Sequence, residues 1–136
     1  CVAVGNPHCV LFTHEPPPAG AELAAWGRAL GHHPAFPGGI NVEFAQPISP
    51  TGLAVTVWER GSGATLACGT GACAVAAAAV LTGRCPCGAP ILVQLPGGTL
   101  EVCVQRDDTV LLTGDAAATF SGTVLIQPCK APRGVV

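Results

Sequence analysis

The stretch from Gly69 to Leu81 constrains the fold of this chain more than any other. Its alanine content favours a helix, and Gly83 stands just past its end, where a C-cap belongs. No face of that helix is polar, so it has to be covered on every side. The rest of the sequence supplies the cover as short extended runs. Cys1–Val4 and His8–Phe12 read as strands separated by the turn residues Gly5-Asn6-Pro7. Ile40–Ile48 and Leu53–Arg60 read as a pair joined by Ser49-Pro50-Thr51-Gly52. Ile91–Leu95, Thr99–Gln105, Val110–Thr113 and Thr119–Ile126 follow the helix, and Gly61–Ala67 is expected to be a loop. A second, amphipathic helix is expected over Ala21–Leu30, with Leu23, Trp26 and Leu30 on its apolar face and Gly31 as its stop. The expected fold class is α+β: a β-barrel-like mixed sheet wrapped around a central buried helix.

A chain of 136 residues forms one domain and can bury a core without cross-links. Only 10% of residues are charged and the net charge is −2, which excludes disorder and leaves no basic footprint for nucleic acid. The longest apolar run, Ala72–Leu81, falls well short of the roughly 20 residues of a membrane span. Eight cysteines invite a disulfide reading, but a core this apolar does not need one. Cys85-Pro-Cys87 is one residue too close for a zinc clasp and has no second pair, so no metal is expected. Reduced thiols in a cytoplasmic setting are the better expectation. Cys9, Cys73, Cys103 and Cys129 are expected to be structural, whereas Cys1, Cys85 and Cys87 are expected to be incidental. The chain lacks methionine and opens on Cys-Val-Ala-Val, a strand already under way, so residues are expected to precede it.

The chemistry concentrates between Glu59 and Ala74. Cys68 lies where a glycine-containing loop becomes a helix. Unpaired N–H groups at a helix N-terminus carry partial positive charge and would stabilise a thiolate there. Gly69 and Gly71 leave backbone uncovered, so a carboxylate of a substrate can approach the same donors. This combination suits removal of a proton α to a carboxylate, because amides aimed at the carboxylate oxygens bind more strongly as carbanion charge develops. Leu53, Val55, Val57 and Glu59 share one strand face, with Ala54, Thr56, Trp58 and Arg60 on the other. A carboxylate that continues an apolar stripe is unusual. It predicts partial burial of Glu59, which suits proton transfer.

Glu59-Arg60-Gly61 followed by Ala67-Cys68-Gly69-Thr70-Gly71-Ala72-Cys73 resembles the second cysteine motif of diaminopimelate epimerases. Gly5-Asn6-Pro7-His8-Cys9-Val10 and Asn41-Val42-Glu43-Phe44 resemble two further signatures of that family, in the family's order. Thr113-Gly114 also fits, with Asp115 where the family usually has proline. The resemblance implies one of two pseudo-symmetric lobes, each a barrel around a helix, with residues 1–136 as the C-terminal lobe. It implies interconversion of LL- and meso-diaminopimelate in lysine and cell-wall biosynthesis, without pyridoxal phosphate or metal. Cys68 would be one of two acid/base thiols, Glu59 its partner, and His8 would serve the other thiol, carried by a missing N-terminal lobe. Asn6, Asn41, Arg60, Gly69 and Thr70 would bind the substrate. By the same resemblance these residues alone are expected to be inactive, and a homodimer of the complete enzyme is an assembly open to it.

Other readings compete. Proline racemases also carry a cysteine-glycine-threonine-glycine turn, and an isomerase of the phenazine type is a further relative. Glu59-Arg60-Gly61 and Asn41-Val42-Glu43-Phe44 favour diaminopimelate. A non-catalytic isolated lobe is a second class. A cysteine hydrolase using Cys68 and His8 is a third, and it requires those two side chains to meet. His8 on its own reads equally as a solvated loop histidine, Arg60 as one half of an exposed ion pair with Glu59, and Asn6 and Asn41 as turn residues.

Overall fold

The computed structural model describes residues 1–125. Strands β1 (Val2–Val4) and β2 (Asn6–Phe12) form a tight antiparallel hairpin at Gly5, whose φ of +75° costs glycine little. Helix α1 (Gly20–Gly31) then provides the crossover that a parallel pairing needs. It allows β3 (Asn41–Ser49) to lie parallel to β2, with His8 opposite Asn41 and Val10 opposite Glu43. Strand β4 (Gly52–Glu59) returns antiparallel to β3, and the short β5 (Gly63–Thr65) folds back onto its end. Helix α2 (Gly69–Leu81) is the second crossover, delivering β6 (Pro90–Leu95) parallel to β4. Strands β7 (Gly98–Val104) and β8 (Val110–Thr113) complete a mixed eight-stranded sheet, ordered β1-β2-β3-β4-β6-β7-β8 with β5 off that path.

The period of two along each strand divides the sheet into two apolar faces. Phe12, Ala45, Val55, Val57, Ile91, Val93 and Val102 point inward and close around α2. Every residue of α2 from Gly71 to Ala79 is buried, as its all-apolar surface requires. Each fully buried valine or isoleucine in this core contributes about 1.5–3 kcal/mol. On the outer face Val42, Phe44, Leu11 and Trp58 pack against Leu23 and Leu30 of α1. Gly83, with φ +70°, terminates α2. The curl is not closed: β1 and β8 are the two ends of the sheet path, and a cavity of about 570 Å³ lies between them, lined by Val2, Val4, Val80, Val104 and Val110.

Four expectations change. Residues 119–125 form no strand, because a strand persists only against a partner and none of the described sheet edges takes this one. Ile126 and Cys129 lie outside the described residues. Trp26 is half exposed, and the buried face of α1 runs through Leu23, Gly27 and Gly31 instead. The reason is Gly27, whose bare backbone presses directly on Trp58. The expected loop Gly61–Ala67 contains β5. Finally, Cys85 is not incidental, since it is buried in the core around α2.

Candidate active site

Cys68 is the N-cap of α2, with extended backbone (φ −141°, ψ 111°) and its Sγ 3.3 Å from the Gly71 amide that donates to it. The thiol is half-buried, and Thr70 Oγ1 lies 3.5 Å from the same sulfur. The amides of Gly69 and Thr70, in the first turn, have no intrahelical acceptor. Gly71 departs from its expected role as open backbone. A Cβ there would meet Glu43 Oε1 at 3.0 Å and the Cys68 sulfur at 3.3 Å, so its missing side chain seats the helix onto buried groups.

Glu59 closes β4 on the inner face, half-buried, and its Oε1 accepts from Thr65 Oγ1 at 2.7 Å. Only Leu66 and Ala67 separate Thr65 from Cys68, so β5 ties this carboxylate to the segment carrying the thiol. Arg60, next along, points the other way. Its guanidinium is exposed and donates to the Gly38 carbonyl, so it forms no ion pair with Glu59. The Arg60 amide donates to Asn41 Oδ1 at 2.8 Å, while Asn41 Nδ2 donates to the Pro7 carbonyl at 3.2 Å. Asn41 is therefore buried with both ends of its amide on backbone, bracing the start of β2 against the end of β4.

His8 is not a solvated loop residue. Its ring is fully buried, with Nδ1 2.6 Å from Glu43 Oε1 and Nε2 3.0 Å from Asn6 Oδ1. Asn6 in turn reaches Thr70 Oγ1 from Nδ2 at 3.4 Å. Four of the residues singled out from sequence (Asn6, His8, Cys68 and Thr70) thus form one connected group. Both His8 nitrogens are occupied and neither meets the sulfur, so the Cys68–His8 pair of a cysteine hydrolase is not formed.

The residue that sequence reasoning passed over is Glu43. It is fully buried, and its Oε2 has no hydrogen-bond partner. Burial pushes its carboxyl above the ordinary glutamate range, opposed by the hydrogen bond and charge of His8 and reinforced by the charge of Glu59. A bare buried oxygen is far less costly on a neutral acid than on a carboxylate, which agrees with that direction. Its own strand face carries no such signal, because by the period of two Glu43 shares that face with Asn41 and Ala45 while Val42 and Phe44 face α1.

The seven described cysteines are all free. Burial pushes the thiols of Cys9, Cys73 and Cys85 up, which keeps them protonated and unreactive. Among the described residues no three His, Cys, Asp or Glu side chains gather closely enough to hold a metal ion. No described helix is long and apolar enough to cross a membrane.

A match to the family described as diaminopimelate epimerase spans residues 1–119. The chain belongs to the diaminopimelate epimerase family. It is 50% identical over 123 residues to the diaminopimelate epimerase of Microcystis aeruginosa, covering 90% of this chain and 42% of that protein. A Synechococcus diaminopimelate epimerase is 53% identical over 124 residues, covering 90% and 43%. That of Nostoc punctiforme is 49% identical over 123 residues, covering 90% and 43%. The chain therefore spans about two-fifths of the length of these relatives.

Proposed function

We propose that this chain is the C-terminal lobe of a cofactor-independent epimerase that interconverts LL- and meso-diaminopimelate, and that Cys68 is one of its two acid/base thiols. The observation that carries this reading is the sulfur at the N-cap of α2, with the Gly71 amide donating to it and the Thr70 hydroxyl 3.5 Å away, in a chain of this family. The remaining length of a protein the size of the relatives would supply the second thiol, facing the opposite side of the substrate α carbon. In one direction the Cys68 thiolate takes the α proton while the second thiol, still protonated, returns one from the other face. Each turnover leaves the substrate's proton count unchanged and its configuration inverted. The amides of Gly69 and Thr70 donate to the α-carboxylate, where charge develops, and stabilise the transition state more than the ground state. Arg60, at the exposed rim, clamps the distal carboxylate by charge-assisted hydrogen bonds. Asn41 holds the strand ends between which that substrate lies, and His8 serves the second thiol.

Glu59 is the proton-transfer partner of Cys68. In the full-length protein Glu59→Gln lowers kcat about 10²-fold or more while KM changes little, because the amide keeps the Thr65 contact and loses proton exchange. Steady-state kinetics with LL-diaminopimelate check this, and an unchanged kcat removes Glu59 from the reaction. Exchange of the α proton in deuterated water separates the substrate readings: deuterium enters diaminopimelate and not proline. Exchange into proline alone makes the protein a proline racemase instead.

A further inference from the structure

We infer that Glu43, His8, Asn6 and Thr70 form a directed hydrogen-bond chain that sets whether Cys68 accepts or donates a proton. The inference rests on the two-thiol reading above and adds Glu43 to it as a positioning residue.

The direction follows from which atoms can donate. Asn6 Oδ1 only accepts, so His8 Nε2, 3.0 Å away, carries a proton. Asn6 Nδ2 only donates, and it faces Thr70 Oγ1. Thr70 accepts that bond, which leaves its one hydroxyl proton free to point at Cys68 Sγ, 3.5 Å away, when the sulfur is a thiolate. With the Gly71 amide this places two donors on the sulfur, an arrangement that suits an anion. Turning the chain round reverses each link. A bare Nε2 accepts from the flipped Asn6 amide, Asn6 Oδ1 accepts from Thr70, and Thr70 Oγ1 accepts from the Cys68 S–H.

Glu43 selects between these states. While the Glu43–His8 pair holds two protons, Nε2 is protonated whether the shared one sits on Oε1 or Nδ1. When the pair loses a proton, the remaining one stays between Oε1 and Nδ1, 2.6 Å apart, and Nε2 is bare. After a turnover that protonates Cys68 and leaves the second thiol as a thiolate, transfer of the Nε2 proton to that thiolate leaves Nε2 bare, and the reversed chain then accepts from the Cys68 S–H. Both thiols then hold protons, and Cys68 takes a proton again only after losing its own, with the Glu59 carboxylate as its acceptor. The other titratable groups bearing on this chain are Glu59 on β4, Cys9 on β2 and Cys73 on α2.

The test is the rate at which iodoacetamide modifies Cys68 at neutral pH without substrate, followed by peptide mass spectrometry on the full-length protein. Asn6→Ala cuts the chain at a half-buried position without touching the core, and modification slows about threefold or more. Glu43→Gln, whose amide donates to Nδ1, keeps the wild-type rate, whereas Glu43→Leu slows modification like Asn6→Ala. Imidazole ¹⁵N shifts report a protonated Nε2 on His8 in the wild type. A wild-type rate in Asn6→Ala, or His8 protonated only on Nδ1, overturns the chain whatever becomes of the Glu43 variants. If the modification pattern holds but diaminopimelate exchanges no α proton, the function assigned above fails and the chain stands.

Discussion

Cys68→Ser in the full-length protein abolishes epimerisation, lowering turnover by about 10²–10⁴-fold or more, and leaves the melting temperature within a few degrees of the wild type. The two halves of this result separate the sulfur's roles. As N-cap the side chain accepts from the Gly71 amide, and a serine oxygen does this at least as well. As acid/base it has to ionise in a range where a hydroxyl does not. Cys68→Ala loses both functions, so it adds a stability cost of about 1 kcal/mol to the same loss of turnover. Epimerisation of LL-diaminopimelate and deuterium uptake at its α carbon give the turnover, and thermal unfolding gives the stability. If Cys68→Ser keeps a tenth of wild-type activity, the sulfur is a cap and nothing more.

What the sequence reveals divides along the line between local and non-local causes. Helix α2 was legible end to end, because alanine content, an all-apolar surface and Gly83 are local facts that agree. The inward stripe Leu53, Val55, Val57 and Glu59 was legible for the same reason. The barrel-like wrap around α2 followed from the need to cover that helix. Glu43 and His8 were different. Their burial depends on β2 lying parallel beside β3, a pairing made through the α1 crossover, and nothing within either strand announces it. Strand β5 is three residues long and exists only because the end of β4 offers it an edge. Residues 119–125 show the opposite case, in which an apolar run reads as a strand but finds no edge among the described residues. Motif resemblance marked His8 and Asn6 as members of a site, but only the fold shows that a buried glutamate stands behind them.

Gly27 offers a test in which local and non-local terms carry opposite signs. It sits inside α1 with helical backbone, so Gly27→Ala gains about 1 kcal/mol from helix propensity. Packing opposes this. A Cβ at Gly27 would lie 2.3 Å from Cγ and 2.5 Å from Cβ of Trp58, atoms too near the backbone of β4 to swing away. The indole is confined on other sides as well, since added Cβ atoms at Gly31 and Gly63 would each stand 3.5 Å from it. Relief therefore requires α1 to lift off the sheet, exposing part of the Leu23, Val42 and Phe44 cluster. Overpacking of this kind costs typically 1–3 kcal/mol and occasionally more, and a contact this short belongs at the upper end. The net expectation is destabilisation by about 2 kcal/mol, a fall in melting temperature on the order of 10 °C. Repeating Gly27→Ala in a Trp58→Leu background removes the obstacle, so there the substitution becomes neutral or slightly stabilising. A melting temperature for Gly27→Ala at or above wild type would show that α1 does not rest on Trp58. Because Glu59 follows Trp58 on β4, the same lift disturbs the carboxylate beside Thr65, and Gly27→Ala lowers kcat even at temperatures where it remains folded.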